Sequence, residues 1–143
     1  MENPNEALLK QINEGCQMAV SSIDGIMEKA QKPTFKQHLE RTKQSYEQYQ
    51  DNAADLLLNY NTQPQKISNM AEWMAKINGN VKTMLQEGDD TIADMMFQGV
   101  TMGIKSISRT LNARSDADES TKQFAHRYLD HQYAILHDMG EFL

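Results

Sequence analysis

Histidine is the side chain here best suited to proton transfer or metal binding near neutral pH. Three of the four histidines fall in one stretch, Phe124 to Phe142. His126, Asp130, Tyr133 and His137 recur at steps of four, three and four, so on a helix they share one face. An imidazole and a carboxylate one turn apart are the beginning of a zinc site. His126 and His137, however, stand about 16 Å apart along a helix, so one ion cannot hold both and a neighbour would have to supply ligands. The opposite face carries Ala125, Tyr128, Leu129, Ile135, Leu136, Met139 and Phe142. His126, Asp130 and His137 are therefore surface candidates, read as a solvated outer stripe or a dimer contact.

Gln132 is different, because it falls near the centre of that apolar face. A buried glutamine without partners costs roughly 1–3 kcal/mol. Cys16, Thr42, Tyr46, Tyr49 or a water could satisfy it. His131 lies at the edge of the same arc, and His38 lies at the edge of its own helix. His131, Gln132 and His38, with water, are the candidates for a non-standard metal site. No residue is assigned a catalytic or cofactor-binding role. Cys16 sits on an apolar seam with no histidine in its helix, and buried thiols of that kind are usually inert.

The elements that must position these residues are helices. Asn3-Pro4-Asn5-Glu6 offers a cap, a proline at the first helical position and an acid at the third. Leu9, Ile12, Cys16, Ala19, Ile23, Ile26 and Ala30 then step by three and four, which predicts a helix over about 4–30. Pro33 opens a second helix, about 33–60, with the seam Phe35, Leu39, Thr42, Tyr46, Tyr49, Ala53, Leu56 and Tyr60. The short break between the two predicts an antiparallel pair. Residues 65–87 read as a helical crossover, interrupted at Asn78-Gly79-Asn80. Gly88 can close that segment and Asp89 can cap a helix over about 90–112. Its core residues are Ile92, Met95, Met96, Val100, Ile107 and Leu111, and close packing is expected at Gly99 and Gly103. Ser115 or Asp116 is expected to cap the last helix, about 116–139, which Gly140 ends. Helices of this length span about 35–42 Å. The whole chain reads as one all-α domain; a five-helix up-and-down bundle is the other arrangement.

Composition excludes several functions. A net charge of −6 argues against nucleic acid or an anionic membrane as the main partner. No apolar run approaches the roughly 20 residues that a membrane span needs. The single Cys16 cannot form an internal disulfide, and no signal peptide is expected, so a cytoplasmic location follows. The abundant methionines at helical spacing are core filler. Met18 and Phe97 fall away from their helices' seams, which suggests a homodimer contact.

Four long helices, the Gly88-Asp89-Asp90 opening of the third of them and Asn13-Glu14-Gly15 in the first carry a resemblance. The chain resembles the ferritin-like superfamily, and more narrowly the small bacterial domains in which a helical crossover joins two hairpins. That resemblance implies a four-helix bundle with a di-iron or related metal site. Such a site takes a Glu from each of two helices and a Glu-x-x-His from each of the others, all pointing inward. Here Glu14, Glu40, Glu47, Asp51, Asp55, Asp90 and Asp94 fall outside the apolar arcs, and the second and last helices lack Glu-x-x-His. The expectation is a ferritin-like bundle without an intact di-iron site and without a cofactor, acting as a structural or protein-interaction module. Iron oxidation or storage at a non-standard site is the first alternative. The second is histidine phosphotransfer, for which His126-Arg127-Tyr128 and the residues after His38 are poor matches to the usual basic and small neighbours.

Overall fold

The computed structural model describes residues 3–62, 75 and 88–143; the expected crossover over 65–87 lies outside them apart from Ala75, which is helical and exposed. Four long helices dominate: α1 (Pro4–Ile26), α2 (Pro33–Leu58), α3 (Asp89–Ala113) and α4 (Glu119–Met139). There is no strand among the described residues.

Local chemistry sets most boundaries. Asn3 caps α1 by accepting from the Asn5 amide at 2.8 Å, with Pro4 at the first helical position. The expected helix over 4–30 is shorter: α1 stops at Ile26, and Met27–Lys29 tighten into a 3-10 turn before Pro33 starts α2. α2 ends at Leu58 through Asn61, whose positive φ of 55° is a conformation that asparagine tolerates. At the start of α3, Gly88 has φ 83°, which favours glycine. The last helix begins three residues later than expected. Neither Ser115 nor Asp116 caps it; Asp118 holds the cap position, and its side chain is taken by α1.

Contacts between the helices fix their directions. Asp24 pairs with Lys43 at 2.7 Å and Asn13 donates to the Gln50 carbonyl at 3.1 Å, so α1 and α2 are antiparallel. Gln11 donates to Ser106 at 2.6 Å while Asp89 meets residues 31 and 32, so α3 also opposes α1. Asn5 meets Asp118 and Tyr128 bonds Cys16, so α4 runs parallel to α1. α2 therefore ends, and α3 begins, at opposite ends of the bundle.

The core follows the seams. Leu8, Leu9, Ile12, Cys16, Ile23 and Ile26 from α1 meet Phe35, Leu39, Tyr46, Ala53 and Leu57 from α2. Ile92, Met96, Val100, Ile104 and Ile107 close one side, and Phe124, Tyr128, Ile135 and Met139 close the other. α2 and α4 meet chiefly through rings: Tyr49 lies 5.5 Å from Tyr128 and 5.9 Å from Phe124. After Gly140 a final 3-10 turn lays Phe142 on Phe35, with centroids 4.7 Å apart.

Two expectations are corrected. Phe97 is half-buried and packs on the core. Among the described residues nothing lies within 4 Å of where a Cβ would stand at Gly99 or Gly103, so no described neighbour accounts for the close packing expected there. A solvated helical glycine costs up to about 1 kcal/mol relative to alanine. Gly99→Ala and Gly103→Ala are each expected to raise the denaturation midpoint, by roughly 0.5–1 kcal/mol of stability. A drop in the midpoint would show a contact at this face.

Two polar clamps hold the bundle ends. At one, Asp89, 8% exposed, accepts from the backbone amides of Gln31 at 2.7 Å and Lys32 at 2.9 Å. This ties the start of α3 to the α1–α2 turn. At the other, Asn5 donates to the Asp118 carboxylate at 2.9 Å and accepts from the Asp118 amide at 2.7 Å. A carboxylate taking two N–H donors is a charge-assisted arrangement, stronger than a neutral pair.

Candidate functional site in the bundle centre

The middle of the bundle gathers polar side chains that the seams alone would make apolar. Cys16 comes from α1, Thr42, Ser45, Tyr46 and Tyr49 from α2, and Tyr128, His131 and Gln132 from α4. Gln132 is 2% exposed and Tyr46 is also 2% exposed. The Tyr46 hydroxyl donates to Gln132 Oε1 at 2.7 Å. That fixes the amide, so Gln132 Nε2 donates to His131 Nδ1 at 3.1 Å. His131 then carries its proton on Nε2, which donates to Ser45 Oγ at 2.8 Å. The Ser45 hydroxyl in turn donates to the Thr42 carbonyl, also at 2.8 Å. Each link has one donor and one acceptor, and the chain requires a neutral His131.

Rings pack round this chain. His131 lies 4.8 Å from Tyr49 and 5.4 Å from Tyr46, the latter edge-on. The Tyr128 hydroxyl donates to Cys16. Burial pushes the Cys16 thiol up to about 12, against the lowering effect of Tyr128. The thiol is therefore un-ionised and a poor nucleophile at neutral pH. Burial likewise raises the phenols of Tyr46 and Tyr128, so both act as neutral hydrogen-bonding groups.

Of the candidates, His131 and Gln132 are brought together. His38 is not with them. It stands two turns before Ser45 on α2, about 10 Å along the helix, and packs on Phe142 at 5.4 Å. Its Nε2 is buried and has no hydrogen-bond partner among the described residues. His126, Asp130 and His137 lie exposed on α4, and Tyr133 beside them is 56% exposed. The outer stripe falls where the four-three-four spacing put it. Among the described residues His137 reaches the adjacent Asp138, at 3.5 Å.

The described residues do not supply the donor set of a di-iron centre. Glu14, Glu40, Glu47, Asp51, Asp55, Asp90 and Asp94 are exposed. The one buried carboxylate among the described residues, Asp89, is held by backbone amides at the bundle end. No group of three or more His, Cys, Asp or Glu is arranged to hold a metal among those residues. Both nitrogens of His131 are already engaged.

Burial lowers the pKa of His131 and of His38 below the usual 6.5. Both therefore favour the neutral form in the fold more than in the unfolded chain. Their contribution to stability is fully present above pH 6.5 and is lost as pH falls through 6.5 toward the depressed folded values. The urea midpoint is expected to fall on acidification across this window. A His131→Gln variant is expected to flatten the dependence.

No described helix is long and apolar enough to cross a membrane. No protein-family model, curated protein or solved structure matches the chain.

Proposed function

We propose that this chain is a ferritin-like four-helix bundle without a di-iron centre, and that it serves in the cytoplasm as a structural or protein-interaction module. The helix directions support the arrangement: two antiparallel pairs, with α2 ending and α3 starting at opposite ends. The observation that carries the functional reading is the hydrogen-bonded chain Tyr46–Gln132–His131–Ser45. It occupies mid-bundle positions where a metal-binding member of that superfamily needs inward carboxylates. Its side chains complete one another and hold a neutral histidine. Buried polar networks satisfied in this way rigidify a core and specify one packing.

Metal analysis of the purified protein tests this. After a chelator wash, iron and manganese are expected well below one per chain. Near-stoichiometric retention of either would overturn the reading. Self-association belongs to the same proposal. Met102, 71% exposed on α3, is a position where a charge would disrupt a contact between helix faces. Sedimentation is expected to give a dimer that Met102→Glu converts to monomer; a wild-type monomer at all concentrations would remove this part.

A further inference from the structure

Basic side chains are unevenly spread over the bundle. Residues 105–127 carry Lys105, Arg109, Arg114, Lys122 and Arg127 against Asp116, Asp118 and Glu119, in a chain of net charge −6. The Asp118 carboxylate accepts from Asn5. Two open grooves flank the C-terminal half of α3 inside this segment. One, of about 370 Å³, lies between α3 and α4. Leu111 and Leu129 line it together with Lys122, His126, Ser108 and Asn112. The other, of about 410 Å³, lies on the α1 side and is lined by Arg109, Arg114 and Gln11. Among the described residues no carboxylate lines either groove. Arg109, Arg114 and Lys122 form no ion pair among the described residues.

These features together describe a recognition surface. Exposed cations attract carboxylates and speed their encounter. The two leucines offer a place for an aliphatic side chain, which buries apolar area without needing a polar partner. We propose that this end of the bundle docks an acidic peptide segment of a partner protein, in which carboxylates alternate with aliphatic residues. The carboxylates meet Lys122 in one groove and Arg109 and Arg114 in the other, and an aliphatic side chain rests on Leu111 and Leu129. A long polyanion such as nucleic acid fits less well, because the rest of the surface is acidic and repels it. The inference rests on the interaction-module reading and names its surface and partner chemistry.

The test is a titration of isotope-labelled full chain with a short synthetic peptide alternating glutamate with leucine, followed by NMR. Shifts are expected at residues 105–129 and at Gln11. Binding is expected to weaken about tenfold in Lys122→Glu and in Arg109→Glu, both surface changes that leave the fold intact. It is expected to be unchanged in Lys36→Glu on exposed α2. Affinity is expected to fall as salt rises from ~0.1 M to ~1 M, as the Debye length shrinks from about 10 Å to about 3 Å. A lysine–leucine peptide is expected not to bind. Absence of shifts, or equal binding of the two peptides, would overturn the proposal. So would inorganic polyphosphate binding as tightly as the acidic peptide. Shifts on another face would overturn this surface while leaving the interaction-module reading standing, and only the metal analysis above would remove that reading.

Discussion

Gln132→Leu is expected to lower stability by about 2–3 kcal/mol in a denaturant titration, although leucine is close to glutamine in volume. The loss comes from stranded polar groups and not from a cavity. The Tyr46 hydroxyl, donating at 2.7 Å, and His131 Nδ1, accepting at 3.1 Å, both lose their partner in the interior. Leaving such a group unsatisfied costs roughly 1–3 kcal/mol. Tyr46→Phe alone strands only Gln132 Oε1 and is expected to cost about 1–2 kcal/mol. In the double variant neither Tyr46 nor Gln132 leaves the other stranded, and only His131 Nδ1 still lacks its partner. The loss in that variant is therefore expected to be smaller than the sum of the two single losses. Strictly additive losses would mean that the pair is not coupled and that the central network is incidental.

Asp89→Ala is expected to cost about 3 kcal/mol, the largest effect of any change to an acidic residue described here. One carboxylate satisfies two backbone amides from the turn between α1 and α2. Alanine leaves both donors without an acceptor and unties the start of α3 from that turn. Asp89→Asn keeps one oxygen acceptor and turns an N–H donor toward the second amide, so its loss is expected to lie between. Asp90→Ala, one residue on and exposed, is expected to change stability by less than about 0.5 kcal/mol. Equal effects of Asp89→Ala and Asp90→Ala would contradict the clamp.

The two clamps and the two glycines show where sequence reading stops. Local rules find what local geometry decides. The Asn3 cap, Pro33 at the start of α2 and the three-four spacing of Leu9, Ile12, Cys16 and Ile23 are all visible within one or two turns. So is Gln132, because a polar side chain in the centre of an apolar arc stands out and must find a partner. Asp89 resembles a helix cap by every local rule. Its partners are backbone amides 57 and 58 residues away, and nothing in the spacing announces them. Asp118 is the same case in reverse: its bond to Asn5 crosses 113 residues and removes its side chain from capping α4. The spacing of Gly99 and Gly103 is equally consistent with close packing and with an open face, and only the neighbouring helices decide between them. The basic grooves beside α3 are invisible in one dimension, because Arg109 and Lys122 come from separate helices.

The central claim is that the middle of the bundle is a completed hydrogen-bond network built on a neutral histidine and not a metal site. Nitrogen NMR of the histidine side chains during a manganese titration tests it most directly. His131 is expected to be protonated on Nε2 with Nδ1 accepting at neutral pH, and its signals and those of the Gln132 amide are expected to keep their positions and widths as manganese is added. An Nδ1-protonated His131, or broadening of His131 and Gln132 at stoichiometric manganese, would contradict it.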